Sequence, residues 1–177
     1  MKPLRVGLVS DSHGLLEPGL ARLLARCDLI LHAGDIVKPA VLAELGKIAP
    51  VTAVRGNNDE GVPALAHLPE TALVAVGQLT ALVVHDLGPR ERPAPPARAI
   101  LARRHPEIVV HGHSHRHGAV LVGRTLFVNP GSAGPRRFSS PRTVAVLEVR
   151  GRRARIVFHD LADGDAALSG DPLEVEL

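Results

Sequence analysis

Aromatic residues make up only 2% of the 177-residue chain, and Trp and Tyr are absent. Platforms on which the bases of a single strand could stack are therefore scarce. A lone cysteine, Cys27, excludes a disulfide framework and a metal site built from thiolates; it reads as a small core hydrophobe. No apolar run approaches the ~18 residues that a membrane-spanning helix needs. The apolar segment after Met1-Lys2 is short and is broken by Arg5 and Asp11, so no secretory leader is expected, and the expected location is the cytoplasm. What is present points elsewhere. Apolar residues reach 45%, ordinary for a globular protein. A chain of this length buries roughly 70% of its unfolded surface as one domain. Ten histidines are many for such a chain.

Charge is divided unevenly behind a net +3. Residues 160–177 hold six acids and no Lys or Arg, which leaves 21 basic against 12 acidic residues in 1–159, a net +9. Eighteen of the basic residues are Arg. A basic body can steer anionic ligands, phosphates and nucleic acid among them, although on charge alone a solvated Arg-rich surface is the simpler reading. The folded domain is expected over 1–160. The segment 161–177 is expected to be a loosely ordered acidic tail.

Apolar patterning alternates strand and helix in the first half. Leu4–Ser10, Asp28–Ala33 and Val51–Val54 read as buried strands, with helices over Leu15–Arg26 and Pro39–Ile48 between them. That order implies parallel strands joined by crossover helices. From Thr71 the pattern changes to hairpins: Thr71–Val76 with Leu79–His85, Val120–Val122 with Thr125–Asn129, and Thr143–Val149 with Ala154–Asp160. Pro89–Pro96 is a loop, Pro96–His105 a basic helix and Glu107–His111 a strand. The expected fold is α/β: two packed sheets with helices outside.

The polar clusters fall at the C-terminal ends of those strands: Asp11-Ser12-His13, Gly34-Asp35, Gly56-Asn57-Asn58-Asp59, His85-Asp86 and His111-Gly112-His113-Ser114-His115. Ligands of open α/β sheets bind beyond such ends. Buried charged and imidazole groups cost several kcal/mol unless they are paired or bind metal. Carboxylate, amide oxygen and imidazole without thiolate suit Mn, Fe, Ni, Co or Zn. Asp11 and His13, like His113 and His115, are two residues apart, which on extended backbone turns both to one side. One ion cannot use every group, whereas two ions about 3.5–4 Å apart, bridged by a carboxylate, can.

In this order, Asp-x-His, Gly-Asp, Gly-Asn-x-Asp, a lone His after a strand and Gly-His-x-His resemble the calcineurin-like metallophosphoesterases. With the chain length and the Asn129-Pro130-Gly131-Ser132 segment, they resemble its small bacterial and archaeal phosphodiesterase branch, which also includes the scaffold subunit of eukaryotic retromer. The resemblance runs from about Arg5 to Ser132. It implies a four-layer α/β/β/α sandwich, with two mixed sheets and the helices outside. It also implies two divalent metal ions, Mn2+ foremost, with Ni2+, Fe, Co2+ or Zn2+ as alternatives. Asp11, His13 and His115 would hold one ion, Asn57, His85 and His113 the other, and Asp35 would bridge both. Such a site would hydrolyse a small phosphodiester through a hydroxide shared by the metals, and no Ser or Cys nucleophile is required.

One position departs from many relatives, which have His where this chain has Asn58. An amide donates a hydrogen bond but releases no proton at useful pH. Asn58 is therefore expected to act as a catalytic donor to the leaving oxygen while giving up part of the ~10²–10⁴ that general acid help supplies. Asp59 reads as a capping or supporting group, His111 as a support for a ligand side chain, and His32 as structural. His67, His105 and His159 read as surface residues. His117 is left open, and Arg116, Arg136 and Arg137 either contact substrate phosphate or are merely solvated. The partner expected is a small phosphoester. Nucleic acid is disfavoured by the missing aromatics, no membrane is involved, and homo-oligomers are left open. The competing function is a non-catalytic interaction scaffold of the same fold.

Overall fold

The computed structural model describes residues 2–136, 140–162, 168 and 172–177. Its first half runs β1 (Leu4–Val9), α1 (Pro18–Leu24), β2 (Leu29–His32), α2 (Ala40–Gly46) and β3 (Val51–Ala53). Single helical turns at Asn57–Asp59 and Pro63–Leu65 lead to β4 (Thr71–Val76) and β5 (Leu79–Val84). There follow α3 (Pro95–Arg104), β6 (Ile108–Val110), β7 (Gly118–Val122), β8 (Thr125–Asn129), β9 (Thr143–Arg150), β10 (Arg153–Asp160) and β11 (Leu173–Glu176).

Two mixed sheets result, ordered β11-β10-β9-β1-β2-β3 and β4-β5-β6-β8-β7. In the first, β1, β2 and β3 are parallel, as apolar strands separated by helices require. The β9–β10 hairpin closes antiparallel onto β1. In the second, β5, β6 and β8 are parallel, with α3 carrying the chain from β5 to β6.

Side-chain alternation sorts the apolar residues into layers. Val6 and Leu8 of β1 join Val83, Val110, Val128 and Leu147 between the sheets. Val9, one residue on, faces Leu20 and Leu24 of α1 and Val41 and Leu45 of α2. On the far side of the second sheet, Leu82, Val109 and Phe127 pack against Ala97, Ile100 and Leu101 of α3. Each fully buried Val or Leu among them contributes about 1.5–3 kcal/mol. The architecture is the four-layer α/β/β/α sandwich. No helix among the described residues is long and apolar enough to cross a membrane.

Element ends differ from the sequence reading for local reasons. α1 begins at Pro18, not Leu15, and Glu17 before it is extended at φ −72°, ψ 138°. Proline suits the first helical position and drives its predecessor out of helical geometry. The same device starts α3 at Pro95, after an extended Ala94. The tail differs from the expectation at its end. Residues 163–167 and 169–171 lie outside the described residues, but Leu173–Glu176 forms β11 along β10, so this end is paired rather than loose. Leu177 is buried, and Leu173 and Val175 pack against the inter-sheet core. On the other face, Glu174 and Glu176 stand opposite Arg155 and Arg153, so the acidic end complements a basic strand.

Candidate metal centre

Every polar cluster singled out in the sequence sits just beyond the C-terminal end of a parallel strand: Asp11 after β1, Asp35 after β2, Asn57 after β3, His85 after β5, and His113 and His115 after β6. The loops are laced together. The parallel pairing of β1 and β2 continues past the strands, because Asp11 N–H donates to Gly34 O at 3.0 Å and His13 N–H to Asp35 O at 2.9 Å. The second sheet is tied in by Gly112 N–H on His85 O at 3.0 Å and by His113 N–H on Asp11 Oδ2 at 3.1 Å.

This lacing bends the backbone into an uncommon shape. Asp11, His13, Asp35, His113 and His115 all have positive φ, between 46° and 67°, and they are five of the seven non-glycine residues with positive φ among the described residues. The left-handed region costs a side chain about 1 kcal/mol or more, although Asp and His tolerate it better than most. Glycines stand where nothing larger fits. A Cβ on Gly56 would lie 2.2 Å from Asp35 Oδ1, and one on Gly112 would lie 1.9 Å from Ser10 Oγ and 2.6 Å from Asp11 Oδ2. The Gly of Gly-Asn-x-Asp and the Gly of Gly-His-x-His thus each let a loop approach an acidic residue.

The seven expected residues converge in two groups joined by Asp35. His115 Nε2 lies 3.1 Å from Asp11 Oδ1 and 3.3 Å from His13 Nε2. Asn57 Oδ1 lies 3.0 Å from His85 Nε2 and 3.1 Å from His113 Nδ1. Asp35 offers one oxygen to each group: Oδ1 is 3.4 Å from His85 Nε2, and Oδ2 is 3.9 Å from His13 Nε2. Donor atoms of Asp11, His13 and His115, and again of Asp11, Asp35 and His85, lie within 4.8 Å of one another.

These residues fit a divalent cation. Asp11 is fully buried, and burial is the main force pushing its carboxyl above the usual range, opposed by the Ser10 hydroxyl and by His85 and His115. Its buried Oδ1 faces His115 Nε2 at 3.1 Å but accepts no hydrogen bond of good geometry. A buried carboxylate oxygen left without a donor is costly, and a cation satisfies it. The ring of His85 is oriented by Ala33 O, to which Nδ1 donates at 2.8 Å, and this turns Nε2 toward Asp35 and Asn57, as a ligand nitrogen requires.

Supporting residues were only partly legible. Asp59 is buried and holds no ligand position. Its Oδ1 accepts from Ile36 and Val37 N–H at 2.8 and 2.7 Å, and its Oδ2 from Gly56 N–H at 2.8 Å, which clamps the Asp35 and Asn57 loops together. Asn129, first read as part of a turn, donates to Gly112 O at 2.9 Å and Ser114 Oγ at 3.0 Å, and so fixes the His113–His115 loop. Ser132 Oγ donates to Asp11 O at 2.9 Å. His32 is fully buried beside Ser12 Oγ at 3.0 Å, and burial pushes its ring down to about 3. His111 reaches no ligand; its Nδ1 lies 3.5 Å from Asn129 Nδ2, and burial pushes its ring down to about 4. His159 is half-buried in β10 rather than on the surface, and Arg137 lies outside the described residues. Asn58, expected over the leaving group, gives its backbone N–H and one hydrogen of its side-chain amide to Asp35, at 2.8 and 2.6 Å.

Comparisons with known proteins show the family and the fold. Residues 4–152 match the calcineurin-like phosphoesterase superfamily domain, and the chain belongs to that superfamily. A probable metallophosphoesterase of Methanothermobacter thermautotrophicus is 27% identical over 156 residues, covering 84% of this chain and 87% of that protein. The structure of vacuolar protein sorting 29 from Cryptosporidium parvum superposes with a TM-score of 0.79 at 20% identity, covering 100% of this chain and 99% of that one. A structure described as a novel archaeal phosphodiesterase superposes with a TM-score of 0.71 at 20% identity, covering 88% of this chain and 100% of that one. The two structural likenesses speak for the fold.

Proposed function

We propose that the protein is a phosphodiesterase that works with two divalent metal ions on a small phosphodiester. The observation that carries this reading is Asp35, which presents one carboxylate oxygen to each of two donor groups. Asp11, His13 and His115 would hold one ion, Asn57, His85 and His113 the other, and Asp35 both. Bound there, two divalent ions supply a shared water of lowered pKa and positive charge facing the non-bridging phosphoryl oxygens.

The chain's own residues do the rest. Asp59 and Asn129 hold the ligand loops in place before substrate arrives. One amide hydrogen of Asn58 keeps Asp35 oriented, and the second is available to the leaving oxygen. No proton comes from that side chain, so aryl esters, whose leaving groups need none, are favoured over alkyl esters.

The competing reading, a non-catalytic interaction scaffold, draws on the fold likeness to vacuolar protein sorting 29. The presence of a competent donor at all seven positions favours catalysis. Hydrolysis of bis(4-nitrophenyl) phosphate and 4-nitrophenyl phosphate, with Mn2+ and with chelator, decides between them. Mn2+-stimulated turnover of the diester above the monoester is expected, falling about 10³-fold (~4 kcal/mol) in Asp35→Asn. No metal-stimulated turnover of either ester leaves the scaffold.

A further inference from the structure

A cavity of about 320 Å³ opens directly beside the metal centre, lined by His113, His115, Arg116, Ser132, Arg136 and Arg142. That volume is at the lower end of the ~300–1,000 Å³ range of small-ligand sites. The three arginines are not equivalent. Arg142 is ion-paired with Glu17, so its charge is already answered. Arg116 and Arg136 are exposed at the cavity wall, and neither guanidinium has an ion-pair or hydrogen-bond partner among the described residues. The cavity thus holds two positive charges, unanswered among the described residues, next to the centre proposed to take one phosphate. Guanidinium forks match phosphate oxygens bidentately, and two forks facing one space fit a second phosphoryl group better than a neutral leaving group. Ser132 adds no donor, since its hydroxyl is committed to Asp11 O.

We propose that Arg116 and Arg136 form a subsite for a second phosphoryl group, so that the preferred substrate is a small phosphodiester bearing a further phosphate, such as a nucleotide ester phosphorylated at its other hydroxyl. This rests on the phosphodiesterase reading and names the substrate class of the same site. It assigns Arg116 and Arg136 to specificity, with no part in bond breaking.

The test compares the 4-nitrophenyl ester of thymidine 5′-phosphate with the same ester carrying a 3′-phosphate, in Mn2+. Calorimetry in parallel compares thymidine 3′,5′-bisphosphate with thymidine 5′-monophosphate on metal-free protein in chelator. The added phosphate is expected to lower KM about tenfold, with a smaller effect on kcat, and to tighten binding by a similar factor. Both ratios are expected to collapse to about one in Arg116→Ala/Arg136→Ala. They are expected to persist in Arg103→Ala/Arg104→Ala, which removes the same charge from the exposed last turn of α3. A wild-type ratio near one, a tenfold ratio that survives Arg116→Ala/Arg136→Ala, or an equal loss in the control pair overturns the subsite. If neither ester is turned over, the phosphodiesterase reading falls separately, and the calorimetry alone decides the subsite.

Discussion

Val6, Leu8, Leu31, Val83 and Val110 fill the space between the sheets without accessible surface and without a polar side-chain atom to satisfy. Asp11, Asp35 and His85 follow on from the same kind of strand, within a few residues of that core, and are buried almost as fully, at 0%, 2% and 3% exposure. The interior is stable on its own terms, with regular backbone and apolar contact on all sides. The edge above it carries left-handed backbone, an orphaned carboxylate oxygen and a histidine pushed far below its usual range. One architecture therefore serves as both a stable scaffold and a destabilised site, with the interior stabilising what the site strains.

Substitutions separate the two regions. The largest effect on stability is expected from the interior: Leu31→Ala costs about 2–5 kcal/mol in urea unfolding, with Mn2+ affinity of the surviving folded protein little changed. At the edge, Asp59→Asn removes one acceptor from the clamp on the Asp35 and Asn57 loops. Mn2+ affinity measured by calorimetry is expected to fall ~10–100-fold, while stability without metal falls less than in Leu31→Ala.

The pH dependence of stability sharpens the contrast. His32 is held neutral by burial, with its ring at about 3 in the folded protein, against ~6.5 when unfolded. The unfolded state takes up the proton first, so this contribution is complete above pH ~6.5 and is lost as pH falls toward 3, at about 1.4 kcal/mol per unit. Between pH 7 and 5.5, in chelator, the wild type is expected to lose about 1 kcal/mol more than His32→Gln. Equal losses would show that His32 is not the titrating group. The smallest effect has the opposite sign to a core truncation. Asp11→Asn keeps an oxygen for Ser10 and the His113 N–H, and removes a buried charge. The metal-free protein is expected to gain about 1 kcal/mol and to lose its Mn2+-induced rise in Tm. A fall in Tm comparable to that of Leu31→Ala would mean that Asp11 is structural.

The sequence was most legible where a side chain's role follows from its type and order. Apolar runs located β1 to β6, and the order of Asp, Asn and His motifs picked out the residues that converge. Element ends were less clear, because Pro18 and Pro95 set them locally while the apolar spacing extends further. β11 carried a signal in the Leu-Glu-Val-Glu alternation of 173–176, hidden by the acidic composition around it; its partners, the inter-sheet core for Leu173 and Val175 and the basic face of β10 for the two acids, come from distant parts of the chain. The left-handed backbone at Asp11, Asp35 and His113 left no trace in the sequence, since it arises from loops of two sheets meeting. For the same reason, Asn129 read as a turn residue, although its amide fixes a loop fifteen residues away.

Whether seven side chains cage a pair of cations is tested most directly by titrating metal-free protein with Mn2+ in a calorimeter. Two equivalents bound per chain, with Asp35→Asn weakening both, are expected. A single equivalent that ignores Asp35, or no saturable binding, would contradict a centre built around that shared carboxylate.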